Sequence, residues 1–150
     1  LVHNADILSD INLAEFYRHH RESDAEATLL VSRRQTSRYL LLDDANRLHG
    51  WINKSTGETK PEGFSFREGR YKEMAFGGIH VISPSLFRYM ERGQWKGKFS
   101  IIPFYLSVCE TARIQGYPLQ DRCWFDIGKP ETLAKAEVYY SSARRASSSF

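Results

Sequence analysis

The sequence predicts an α/β fold: a layered domain with a largely parallel sheet and flanking helices. Two features of the 150 residues carry this expectation. Short apolar runs, partly β-branched, alternate with segments whose apolar residues recur at helical spacing. Gly, Pro, Asn and Asp cluster at the joints between them. Hydrophobic residues at 41% and charged residues at 26% supply one ordinary core, with no internal repeat and no linker. The domain is expected over residues 1–140, with a small, polar and basic tail over 141–150.

Leu1–Ala5 reads as a short strand ending at Asp6. It is already under way at the first residue, so the chain is expected to lack the N-terminal part of a longer body. Asp10 is expected to cap a helix over 11–22, with Leu13, Phe16, Tyr17 and His20 on its apolar face. The continuous apolar run Ala27–Val31 suits a strand covered on both faces. Arg38–Leu42 and Leu48–Ile52 flank Asp43-Asp44-Ala45-Asn46, a hairpin pattern. Residues 53–68 are polar and punctuated by Gly and Pro, and read as a loop anchored by Phe64 and Phe66. A strand is expected over Tyr71–Ile82. A helix follows from a Ser83 cap to about Arg92, stopped by Gly93. A second helix is expected over Ser100–Gln115, stopped by Gly116, then a strand over Leu119–Ile127 and a last helix from Pro130 to about Ala143.

Composition narrows function. The net charge of +3, from 21 basic and 18 acidic residues, is too small and too evenly spread for a nucleic-acid binder. No run approaches the roughly 20 apolar residues of a membrane span. Cys109 and Cys123 have no metal-site spacing and make no disulfide framework, so a reducing cytoplasm is expected.

In open α/β sheets, ligands bind beyond the carboxyl ends of strands. Asp6 and Asp126 stand at such ends. Two carboxylates about 4 Å apart repel by ~4 kcal/mol at an effective dielectric near 20. A Mg²⁺ ion would remove that cost and leave coordination positions for water and substrate phosphates. Each aspartate also suits a simpler role, capping a turn or the next helix. Arg33, Arg34 and Arg38 form a basic cluster, read as a solvated strand end in preference to an attractor of anionic substrate. His19 and His20 read as a surface pair without two-histidine zinc geometry, and His3, His49 and His80 have no partners nearby in sequence. The aromatics Phe64, Phe66, Tyr71 and Phe76 read mostly as core, with room for one wall residue of a binding pocket.

Three segments occur in order: Leu-Val-His-Asn-Ala-Asp-Ile-Leu at 1–8, Phe-Gly-Gly-Ile-His-Val-Ile at 76–82, and Trp-Phe-Asp-Ile-Gly-Lys-Pro-Glu at 124–131. Together they resemble the sugar-1-phosphate nucleotidyltransferases, especially the short N-acetylmuramate-1-phosphate uridylyltransferases and mannose-1-phosphate guanylyltransferases. The resemblance runs from Leu1 to about Ala136. It implies a Rossmann-like nucleotide-diphospho-sugar transferase sheet. It also implies a cytoplasmic enzyme of NDP-sugar synthesis for the cell envelope, which joins a nucleoside triphosphate to a sugar 1-phosphate and releases pyrophosphate. Asp6 and Asp126 match the two catalytic, Mg²⁺-binding acids. Gly78 matches a sugar-contacting position, and Asn4 lies two residues before Asp6 on the same strand, where it can contact substrate.

Two departures follow from the same comparison. The family's opening strand and Gly-rich, Arg-containing loop have no counterpart here, so the chain is expected to be the C-terminal half and not to turn over alone. Its truncated sheet is expected to self-associate. The second departure is Lys129, where the family commonly carries a Thr that can cap the final helix. A non-catalytic sugar-phosphate-binding or assembly module is the alternative function. Neither the base nor the sugar is specified by these residues.

Overall fold

The computed structural model describes residues 1–91, 95–120 and 123–147, and side chains as far as residue 142. A seven-stranded sheet forms its centre and a two-stranded ribbon lies beside it. The chain runs through β1 (Val2–His3), β2 (Ile7–Ser9), α1 (Leu13–Glu22), β3 (Ala27–Ser32), β4 (Arg38–Leu42), β5 (Leu48–Asn53), β6 (Thr59–Lys60) and β7 (Lys72–Ile82). A 3₁₀ helix (Pro84–Tyr89), α2 (Ile101–Val108), β8 (Ile114–Pro118), β9 (Trp124–Asp126) and α3 (Pro130–Ser147) complete it.

The main sheet is ordered β6-β5-β4-β7-β3-β8, with β1 also on β7. It is mostly antiparallel, not largely parallel: only β3 and β8 run together. The reason lies between Arg38 and Ile82, where no helix intervenes. Strands joined by tight turns must run antiparallel, and the long β7 then inserts between β1 and β3. Those two strands keep a common direction, because each is antiparallel to β7.

β3 is buried on both faces, as its apolar run predicts. Leu29 and Val31 pack into the core under α2, with Leu40, Leu42, Phe104 and Ile114. Leu30 faces the other way, with Phe16 of α1, Ile7, Ile79 and Val81.

Several local expectations are corrected. Asn12, not Asp10, caps α1, its Oδ1 accepting from the N–H groups of Ala14 and Glu15 at 3.1 Å each. The helix expected over Ser100–Gln115 ends at Val108, and Ile114–Pro118 forms β8 against β3. Gly116 is therefore a strand residue. A Cβ there would collide with Leu42 and stand 3.1 Å from Val31, so only glycine lets β8 lie this close. The turn after Ile82 is 3₁₀ and ends at Tyr89, while the Gly93 stop lies outside the described residues. The strand expected over Leu119–Ile127 is three residues long, and α3 continues beyond Ala143 to Ser147. His20 is buried, not on the surface: its ring bonds Thr28 Oγ1 and Ser83 Oγ at 2.9 Å each, which occupies the Ser83 hydroxyl expected to cap a helix. His49 and His80 also have partners, Asp43 Oδ2 at 2.9 Å and Tyr105 OH at 2.5 Å.

Candidate functional site

The ribbon of β2 and β9 joins the two ends of the chain. Ile7 stands opposite Asp126, and the Ile127 N–H donates to the Asp6 carbonyl at 2.8 Å. This pairing holds Asp6 beside the end of β9 although the two segments are far apart in sequence. Their side chains converge at Gly128. Asp126 Oδ1 lies 3.2 Å, and Asp6 Oδ2 3.5 Å, from the place a Cβ on Gly128 would occupy. The two oxygens are thus separated by no more than the sum of those distances.

Asp6 is exposed and Asp126 half-buried. Asp126 Oδ1 also accepts the Gly128 N–H at 3.1 Å, which closes the turn into α3. The turn role and the pairing thus coexist in one side chain. Lys129 is exposed, and its carbonyl accepts the first α3 bonds from the Thr132 and Leu133 N–H groups. Thr132 Oγ1 donates to the Asp126 and Lys129 carbonyls. These bonds brace the turn into α3 without supplying a side-chain acceptor to its first N–H groups, and the positive end of the α3 dipole lies at the same turn.

Gly78 has φ +73°, in a bulge where β7 gains residues relative to β3 between Leu29 and Val31. A Cβ there would stand 2.8 Å from Ile7 Cγ1 and 3.1 Å from Asn4 Nδ2. The side chains of Ile7 and Asn4 fill the space next to it, so this glycine serves backbone conformation and the seating of Asn4. Asn4 does not share a strand with Asp6 as expected, because β1 ends at His3 and the chain turns through Ala5 and Asp6; it is exposed, and its N–H donates to the Gly78 carbonyl at 2.9 Å.

Trp124 precedes Asp126 by two residues on β9, hence on the same face. Its indole N–H donates to the Gly77 carbonyl at 2.8 Å, pinning β9 to the β7 bulge. The guanidinium of Arg34 lies over the Trp124 ring, 4.3 Å from its centre, and donates to the Phe76 carbonyl at 3.1 Å. Its desolvation there lowers its pKa from the ordinary arginine value, and the nearby Asp126 charge works against that shift. Among the described residues, no carboxylate forms an ion pair with Arg34 or Arg38.

Both arginines line a cavity of about 210 Å³ with Thr36, Trp51 and Phe76. A second cavity of about 350 Å³ shares Arg38 and Trp51 with it and extends to Lys60. Arg34 is what the acid ribbon and this cavity have in common: the cavity walls Trp51 and Phe76 pack with the α2-side core, whereas Ile7 and Trp124 pack with the α1-side core.

Two solved structures share this architecture. One is an inositol-1-phosphate CTP transferase from T. maritima, with a TM-score of 0.51 and 17% identity, covering 74% of this chain and 42% of that one. The other, from Bacillus anthracis in complex with a sucrose, is assigned as a glucose-1-phosphate thymidylyltransferase. It has a TM-score of 0.64 and 12% identity, covering 89% of this chain and 51% of that one. The chain shares the mixed α/β fold of part of each of these two proteins. It spans about half the length of these two proteins. No family model and no curated protein matches it.

The sequence motifs pick out Asp6 and Asp126, which the fold brings together, and Asn4 and Gly78, which lie side by side. They miss Gly128, whose bare Cα leaves the acid pair open, and Arg34. Trp124 and Gly128 stand within the third motif, but nothing in a linear motif shows which distant side chains meet there. No helix among the described residues is long and apolar enough to cross a membrane.

Proposed function

We propose that Asp6 and Asp126 together hold one Mg²⁺ ion, and that the cavity lined by Arg34 receives a sugar 1-phosphate. The observation that carries this is the convergence of both carboxylates on the open space at Gly128. The donor set fits the ion. Mg²⁺ takes one or two carboxylates and fills its remaining positions with water and phosphate oxygens. The described residues contain no group of three or more acidic, histidine or cysteine side chains that could hold a metal ion, so the remaining positions would fall to water and phosphate. Without a cation, two neighbouring carboxylates repel.

The reaction such a site serves is nucleotidyl transfer from a nucleoside triphosphate to the sugar 1-phosphate, giving an NDP-sugar and pyrophosphate. A phosphate oxygen of the sugar phosphate attacks the α-phosphorus in line, and the bond to the pyrophosphate leaving group breaks. Mg²⁺ supplies charge neutralisation of the phosphates and fixes their orientation. The chain's own contribution is placement. Asp6 and Asp126 fix the cation at the sheet edge, Asn4 offers its exposed carboxamide to the substrate, and Trp51 and Phe76 give apolar walls for a sugar ring. No covalent intermediate is required.

Calorimetric titration of glucose 1-phosphate tests this. Saturating Mg²⁺ is expected to raise its affinity at least tenfold, and Asp126→Asn to remove that dependence. The same affinity with and without Mg²⁺ would overturn it.

A further inference from the structure

Arg34 is the residue that links the acid pair to the cavity. Its guanidinium stacks on Trp124, two residues from Asp126, and donates to the Phe76 carbonyl. Only part of its five-donor fork is used there. The same side chain lines the cavity with Arg38 and Thr36. It is a planar cation fixed by stacking, in no ion pair among the described residues, and within reach of the Asp126 charge. It is well arranged to accept an oxyanion.

We propose that Arg34 is a positioning residue that couples cation and phosphate at this site, resting on the metal-dependent sugar-phosphate reading above. When the site is empty, the Arg34 charge partly compensates Asp126 and competes with a divalent cation. When a phosphate monoester enters, Arg34 turns from rival to ally, because the phosphate lies between the two cations and attracts both. Cation and phosphate then bind each more tightly in the presence of the other, a reciprocity that linkage requires. The ligand is a phosphate monoester whose remaining part fits the aromatic-walled cavity.

The coupling gives Arg34→Gln effects of opposite sign on two equilibria. Removing the competing charge should tighten binding of Mg²⁺ alone about threefold. Removing the donors should weaken glucose 1-phosphate at saturating Mg²⁺ at least tenfold, the scale of a lost charge-assisted hydrogen bond. Arg34→Lys keeps the charge without the planar fork, so its affinity for Mg²⁺ alone should stay at the wild-type value while glucose 1-phosphate still weakens. Arg33→Gln, at the equally exposed neighbour that does not line the cavity, should leave both affinities within about twofold of wild type.

Mg²⁺ and glucose 1-phosphate affinities falling together in Arg34→Gln would show a purely structural role for the stack and overturn the proposal. So would no change in either. If the wild-type chain shows no Mg²⁺-dependent binding of glucose 1-phosphate, the functional reading itself fails. If it does, and the opposite-signed changes are missing, only the assignment of Arg34 fails.

Discussion

Gly128 decides whether the two acids can share a cation. Its conformation is open to other residues, but a methyl group would stand against both carboxylates. Gly128→Ala is therefore expected to reduce Mg²⁺ affinity at least tenfold while changing stability by about 0.5 kcal/mol or less, as for an exposed substitution. Calorimetry and urea unfolding measure the two effects separately. Asp126→Asn keeps an acceptor for the Gly128 N–H, so it should lose the metal and keep the fold. A large loss of stability in that variant would make Asp126 a structural turn residue. At this scale Asp126 was legible from its position at the end of β9, whereas Asp6, expected at the end of a strand over Leu1–Ala5, stands in the turn between β1 and β2. Arg34 was not legible, because its setting depends on Trp124, which reaches it only through the β2–β9 pairing.

The element that organises the site is β7. Its bulge at Gly77–Gly78 accepts the Trp124 indole on one residue and the Asn4 N–H on the next. Gly78→Ala would force a positive φ on a residue with a Cβ and press it into Ile7, at a cost of roughly 1–3 kcal/mol. A fall in the urea midpoint is the expected readout. The same strand carries His80, whose pKa burial pushes down to about 4. His20 is shifted in the same direction, also chiefly by burial. An unfolded histidine takes up a proton near pH 6.5, whereas folded His80 stays neutral down to about pH 4. The unfolded state thus binds more protons in that window, so this stability is complete above pH 6.5 and is lost as pH falls towards 4. Unfolding measured at pH 7 and pH 5 should show the loss, and His80→Gln should flatten it. β7 was legible as a strand, but its bulge was not, since Gly77-Gly78 fits a regular strand equally well in sequence. β8 was misread because Gly116 looks like a helix stop, and only Leu42 and Val31 reveal it as a place of close strand approach.

Across the whole molecule, the alternation of strands and helices gave the class correctly and the strand directions wrongly. Direction is set by which strands pair, and the insertion of β7 between β1 and β3 leaves no mark in the local pattern. Among the described residues β1 pairs only with β7, and Val2 and the preceding Leu1 are 44% and 50% exposed. A free, apolar edge is a template for another strand. Sedimentation at micromolar concentration is expected to show self-association, reversed by Val2→Lys, while a stable wild-type monomer would count against it.

The most direct test of the shared-cation site is paramagnetic broadening by substoichiometric Mn²⁺, which takes the same oxygen ligands as Mg²⁺. The amide signals of Asp6, Ile127 and Gly128 should broaden first and together. Broadening that spares them, or that centres on another acidic stretch such as Asp43–Asp44, would contradict the site.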